Sequence, residues 1–366
     1  MNNRKLVLES GKVFEGVGFG SNEEVISEIT FNTSVVGYQE ILSDPANYHK
    51  IICMTYPVVG NYGLNDEDYE SKGLVVSGLV VRDYNELPSN FRFTHKLSEA
   101  MEECKVSGIS EIDTRELTRY IRDNGSMKAL ICDSNKPHQE CLELLRNYAF
   151  NSDITALVST KKVTYSRTHN PNYNVVVVDC GANKSLVKGL NSVGYNEVLV
   201  PYNSTYENIL KYKPDGLVIS NGPGNPTDLK EVIDLIVQAK GKLPVLGIGL
   251  GCDLVALAYG AKVEKSKFGQ HGCNIPIKYL ETQKIDIAIT NTSYDINEES
   301  LNDTKLSVLT KNVIDKSVMG VIDQKSKVIG IKNLPIEYSS NDEIFKTFNQ
   351  FLKKIGGRAY AKKNWY

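Results

Sequence analysis

The 366-residue sequence lacks a membrane span, an even set of cysteines and an excess of charge of either sign. Apolar runs such as Val175–Val178 end far short of the ~20 residues that a spanning helix needs, so no membrane partner is expected. The apolar run near the start, Leu6-Val7-Leu8, is closed by Glu9 and is too short for a signal-peptide core. Nor does this end have the Arg- and Ser-rich, acid-poor character of a transit peptide. Seven cysteines, at 53, 104, 132, 141, 180, 252 and 273, are scattered without CxxC spacing. An odd, dispersed set argues against a disulfide framework or a zinc site and for a reducing compartment. A cytoplasmic protein is therefore expected. Lys and Arg number 42 against 44 Asp and Glu, a formal charge of −2, which gives no electrostatic case for nucleic acid. With 12 prolines against 28 glycines, many turns but no proline-rich linker are expected.

What is present is ordinary globular usage, 41% apolar and 23% charged, in a chain long enough for two or three domains. The first 150 residues read as a β-rich α/β domain. Lys5-Leu6-Val7-Leu8, Glu28-Ile29-Thr30-Phe31, Ile51 to Tyr56 and Gly73-Leu74-Val75-Val76 are short β-branched runs bounded by turn formers. Apolar spacing predicts helices over 97–104 and 114–123, the second with an N-cap at Asp113, a Glu three residues on, and a stop at Gly125. Residues 151–172 lack a period and read as a linker.

From 173 to 355 strands and helices alternate. Val175-Val176-Val177-Val178-Asp179 is apolar on both faces, as a parallel strand covered by helices on each side must be. Helices at 182–190, 206–212 and 228–239 and strands at 197–200, 216–220 and 244–248 continue the pattern. It implies a doubly wound α/β sheet. Ligands in such sheets sit at the carboxyl ends of the strands. Two turns fall there, Asn221-Gly222-Pro223-Gly224-Asn225-Pro226 and Gly247-Ile248-Gly249-Leu250-Gly251. The second has the spacing of a nucleophile elbow, whose central residue is Ser or Cys. Here that residue is Gly249, and the helix follows from Cys252 to Tyr259.

These residues, with others across nearly the whole chain, resemble the small, glutamine-amidotransferase subunit family of carbamoyl-phosphate synthetase. In the first half the resemblance is carried by Phe31-Asn32-Thr33-Ser34, Gly37 to Pro45, Thr55-Tyr56-Pro57, Gly60-Asn61-Tyr62-Gly63, Ser89-Asn90-Phe91-Arg92 and Ile112-Asp113-Thr114-Arg115. In the second it is carried by the two glycine turns and Phe268-Gly269-Gln270-His271-Gly272-Cys273-Asn274. The resemblance implies a class I glutaminase-like α/β domain, with a Cys nucleophile, a His acid–base and an orienting Glu. It also implies a large-subunit partner, contacted by the N-terminal half. That partner makes carbamoyl phosphate from bicarbonate, ammonia and two ATP. ATP and divalent metal are expected there, with no cofactor or metal on this chain.

The chain departs from that pattern at each catalytic position. Gly249 stands for the Cys, Leu334 for the His and Ile336 for the Glu, the last two aligned through Pro335. Glu337 lies one residue away but has no His nearby to orient. The glutamine pocket departs too: Ala46 replaces a Ser, Asp253 replaces a Gln, and Asn291-Thr292-Ser293-Tyr294 stands for an N-H-G-F stretch. Gly222, Gly224, Leu250 and Asn291 remain as pocket remnants. The expectation is a small subunit with no glutaminase activity of its own, supporting or regulating an ammonia-dependent large subunit of pyrimidine or arginine synthesis. Two alternatives stand beside it: an active amidotransferase with Cys252 as substitute nucleophile, and a stand-alone scaffold or binding protein. Cys252 reads otherwise as a buried thiol and His271 as a hydrogen-bonding residue outside the triad. The basic, aromatic tail at 356–366 reads as solvated.

Overall fold

The computed structural model describes residues 3–334 and 342–353. It divides the chain into two compact units. The first comprises residues 1–154 with 265–274 and 290–293, and the second takes the remainder.

In the first unit seven strands close into a barrel, in the order Asn3–Leu8, Val13–Gly20, Ser107–Ser110, Gly78–Val80, Lys50–Met54, Val25–Asn32, Met127–Asp133. The ladder is mixed, parallel from Val25–Asn32 through Lys50–Met54 and Gly78–Val80 to Ser107–Ser110, and antiparallel elsewhere. Alternation along a strand sends neighbours to opposite faces. Thus Ile51 and Cys53 join Leu6, Leu8 and Ile109 in one core, whereas Ile52 and Met54 join Leu42, Leu79 and Met101 in another. Helix Thr114–Asn124 begins where Asp113 accepts from the Glu116 N–H at 2.8 Å and ends at Gly125, with φ +97°. The expected strand at 73–76 does not form. Val75 gives its N–H to the Leu42 carbonyl in helix Tyr38–Ser43, and its carbonyl accepts from the His49 N–H, so its backbone is spent on a helix end and a turn and not on a ladder. Leu74 and Val76 are nonetheless buried, which is why the run looks like a strand.

The second unit is built on an eleven-stranded sheet. Its parallel part runs Tyr195–Pro201, Tyr173–Asp179, Gly216–Ile219, Val245–Ile248, Val328–Ile331, and antiparallel strands extend it. Val176 and Val178 enter the core on one face, and Val175 and Val177 enter the core on the other. That double burial explains the unbroken valine run. The segment expected as a linker carries helix Ile154–Val158 and strand Thr164–Ser166, the latter pairing antiparallel with Tyr195–Pro201 at the sheet edge. Both are too short to establish a period, hence their silence in the sequence. Two long strands, Val263–Tyr279 and Ile285–Ile296, had no counterpart in the sequence reading. Among the described residues no helix is long and apolar enough to cross a membrane. The tail at 356–366 lies outside the described residues.

Candidate functional site

The parallel strands Gly216–Ile219 and Val245–Ile248 end side by side, with Ile219 opposite Gly247. Gly249 then turns the chain into helix Leu250–Ala258, and its φ of 59° and ψ of −117° are accessible at low cost only to glycine. Its N–H donates to the Ile331 carbonyl at 2.8 Å, and its carbonyl accepts from the Cys252 N–H at 3.0 Å. The flanking glycines are there for steric reasons. A Cβ on Gly247 would lie 2.3 Å from the Gly251 carbonyl oxygen, and one on Gly251 would lie 2.3 Å from that of Ile219. Gly249 is different, since a Cβ there meets only Asn221, at 3.0 Å from its Cβ. The elbow therefore keeps the close packing of a strand–nucleophile–helix turn while presenting no side chain at its apex.

The second glycine turn packs onto the end of strand Tyr173–Asp179. A Cβ on Gly222 would sit 2.0 Å from the Cys180 carbonyl oxygen, and Gly224 has φ +99°. Ser220 ties the two strands: its hydroxyl accepts from the Cys180 N–H at 2.9 Å and donates to the Asn221 carbonyl at 2.7 Å. Thr155 donates to the Pro223 carbonyl at 3.1 Å. Asn221 itself is buried, and neither of its side-chain amide atoms has a partner among the described residues.

Cys252 is fully buried, and burial pushes its thiol pKa well up, with the Asp253 carboxylate adding to the shift. Its Sγ lies 3.0 Å from where a Cβ on Gly330 would be, so it packs against strand Val328–Ile331. A thiol in that setting is neither ionised nor accessible. Leu334 ends the last short strand, half-buried against the core that holds Met319 and Ile331. Ile336 and Glu337 lie outside the described residues.

Asp253 has gained a partner that the sequence reading missed. Lys332, fully buried, places its Nζ 3.1 Å from Asp253 Oδ1 and 3.8 Å from Asp295 Oδ1, and donates to the Tyr294 carbonyl. Burial lifts the Asp253 pKa to about 6 even with the ammonium beside it. A buried pair of this kind is costly to desolvate, and removing one partner leaves an uncompensated charge. The available signal was an acid inside an otherwise apolar helix, which demands a cation somewhere in the fold.

The remaining predicted residues belong to the first unit. Ala46 is buried, and its N–H donates to Asp44 Oδ1 at 3.0 Å. Asn291 donates through Nδ2 to Asp44 Oδ2 at 2.9 Å and to Asn47 Oδ1 at 3.1 Å, and accepts from His271 Nδ1 at 2.8 Å. Burial lowers the His271 pKa to about 3, so at neutral pH this imidazole is an uncharged donor. Burial raises Asp44 to about 6. Ser293 accepts from Lys50 Nζ at 3.4 Å. Asp44, Asn47, Asn291 and His271 thus form one hydrogen-bonded chain, in which Asp44, Asn47 and His271 are buried.

Residues 6–131 match the family model of the carbamoyl-phosphate synthase small chain, CPSase domain, and residues 176–333 match that of class I glutamine amidotransferases. The carbamoyl phosphate synthase small chain of Oceanobacillus iheyensis is 39% identical over 370 residues, covering 99% of this chain and all of that one. The pyrimidine-specific small chain of Bacillus subtilis is 38% identical over 352 residues, 96% of each. Among solved structures, a glutamine amidotransferase from Thermotoga maritima covers 50% of this chain and 90% of its own at 14% identity, with a TM-score of 0.37. With both halves matched in order and relatives aligned end to end, the chain belongs to the family of carbamoyl phosphate synthase small chains.

Proposed function

We propose that this chain is a non-catalytic small subunit of carbamoyl phosphate synthase, one that supports or regulates a large subunit working on free ammonia. The observation that carries the reading is Gly249, an elbow apex with nothing to attack a carboxamide carbonyl. Leu334 supports it, because no acid–base group stands where the family pattern calls for His. Substitution by Cys252 is disfavoured by its burial and its raised pKa. A glutamine thioester needs a thiolate at the mouth of the site, and this thiolate is neither formed nor there. ATP and divalent metal belong on the large subunit, and the product feeds pyrimidine or arginine synthesis in the cytoplasm.

Carbamoyl phosphate formation by the chain mixed with its cognate large subunit, fed glutamine or ammonium separately, tests the reading. Turnover with ammonium and none with glutamine is expected, and omitting this chain lowers the ammonium rate or the stability of the large subunit. Turnover with glutamine overturns the loss of glutaminase chemistry. A large subunit indifferent to the chain overturns the supporting role.

A further inference from the structure

Within the first unit, the sulfurs of Cys132 and Cys141 lie 3.8 Å apart, and both side chains are buried. Cys132 belongs to strand Met127–Asp133, whose alternation sends Ala129 and Ile131 into the barrel core and Leu130 and Cys132 to the outer wall. Helix His138–Asn147 covers that wall, and its buried residues are Cys141 and Leu145. On the neighbouring strand Val7 stands opposite Leu130 and Lys5 opposite Cys132, so all four share the covered face.

Hydrogen bonds at both ends of the helix fix the spacing. Before it, the Lys136 N–H donates to the Asp133 carbonyl at 3.2 Å and the Asn135 N–H to Asp133 Oδ1 at 2.8 Å. Lys5 Nζ donates to the Ser134 carbonyl at 3.1 Å and to the Lys136 carbonyl. After it, Lys128 Nζ donates to the Leu145 and Tyr148 carbonyls at 3.2 and 2.7 Å. A disulfide holds its sulfurs about 2.05 Å apart, so the pair must close by about 2 Å.

The surroundings set when that happens. Burial pushes the Cys132 thiol up to about 12, with the neighbouring Cys141 adding to the shift, so the packed pair rests as thiols. The helix is fastened by two buried side chains, and it opens more readily than the barrel core beneath it. Opening brings water to Cys132, beside the Lys5 ammonium and the Arg4 guanidinium, and both cations favour the thiolate.

We propose that Cys132 and Cys141 are a redox-responsive pair, oxidised to a disulfide by a small disulfide such as oxidised glutathione, and that the bond staples helix His138–Asn147 to the barrel wall. The chemistry is thiol–disulfide exchange. Cys132 loses its proton to solvent and its thiolate attacks one sulfur of the oxidant. The oxidant's S–S bond breaks, and the electron pair leaves on the other sulfur, which takes up a proton. Cys141, deprotonated in its turn, attacks Cys132 Sγ and expels the remaining glutathione as a thiol. Two cysteine thiols are oxidised and one small disulfide is reduced to two thiols.

The experiment holds the full chain in glutathione buffers of rising oxidised fraction, alkylates the free thiols and digests with trypsin. Cleavage after Lys128 and Arg146 puts both cysteines on one peptide, residues 129–146, because Pro137 protects the bond after Lys136. Oxidation is expected to give that peptide two hydrogens lighter and closed to alkylation, and dithiothreitol restores two alkylated thiols. Amide exchange in helix His138–Asn147 slows by about tenfold or more on oxidation. Cys141→Ala abolishes the slowing and leaves Cys132 only a mixed disulfide with glutathione, whereas Cys104→Ala, which removes an exposed thiol, changes neither result. The wild-type readings do not depend on either variant folding. A peptide that keeps two alkylated thiols in a buffer that glutathionylates Cys104 overturns the pair, as does a disulfide joining Cys132 or Cys141 to any other cysteine. A Cys132–Cys141 bond that leaves exchange in the helix unchanged overturns the staple.

Discussion

At the scale of single residues, the backbone of Gly249 decides what a substitution at the elbow apex does. A side chain there must adopt φ +59°, which costs a non-glycine residue about 1–2 kcal/mol, and its Cβ must displace Asn221 from 3.0 Å. In a working elbow that strain is offset by what the nucleophile does, whereas on the non-catalytic reading proposed above no imidazole takes its proton. Gly249→Cys is therefore expected to lower the urea midpoint without producing glutamate from glutamine. Glutamate release above the no-enzyme background, in an assay of the purified variant, contradicts this. The apex was legible in the sequence because the G-x-G-x-G spacing marks the turn independently of its central residue. The Asp253–Lys332–Asp295 cluster was not, because nothing local to Asp253 reveals which distant strand end brings a cation to it.

Among the elements, strand Tyr195–Pro201 carries a buried acid whose protonation couples stability to pH. Glu197 lies beneath the edge strand, accepts from Asn191 Nδ2 through one oxygen and has no partner for the other among the described residues. Burial raises its pKa from 4.5 to about 8, so the folded chain keeps a proton that the unfolded chain gives up. This contribution is fully present below about pH 4.5 and is lost as pH rises through about 8, a change of a few kcal/mol. Glu197→Gln keeps the shape and removes the titration. Urea unfolding across pH 5 to 8 is expected to show stability falling in the wild type along a slope that Glu197→Gln flattens. Equal slopes in the two proteins refute the assignment. The strands of this sheet from 173 to 248 were readable because burial on both faces leaves an uninterrupted apolar run. Strand Val263–Tyr279 was not: Val263-Glu264-Lys265-Ser266-Lys267-Phe268 mixes charges with apolar residues, and its burial shifts along its length. The loop at 73–76 misled for the opposite reason, with buried side chains on a backbone that pairs with no strand.

For the whole molecule, the division into units is not a division of the chain into consecutive segments. The first unit ends at Ile154 and then recruits residues 265–274 and 290–293 from beyond the parallel strands. Those segments bear real contacts. Phe268 stacks on Phe31 at 5.8 Å between ring centroids, Lys265 pairs with Glu28 at 2.5 Å, the Thr33 N–H reaches the His271 carbonyl at 3.1 Å, and Asn291 satisfies Asp44 and Asn47. A fragment cut at 154 keeps the seven barrel strands but exposes one side of the Phe31 core and strands the buried Asp44 carboxylate. Losing an apolar contact and leaving a buried polar group unpaired each cost about 1–3 kcal/mol, a large part of a domain's net stability. Residues 1–154 expressed alone are therefore expected to unfold at a lower urea concentration than the full chain and to lose hydrogen-exchange protection at Thr33 and Asn47 first. Protection there equal to that in the full chain means the barrel is self-sufficient and the recruited strands are passengers. Loss confined to those amides, with the barrel strands still protected, means that the later half of the sequence completes the first unit at the Asp44 end.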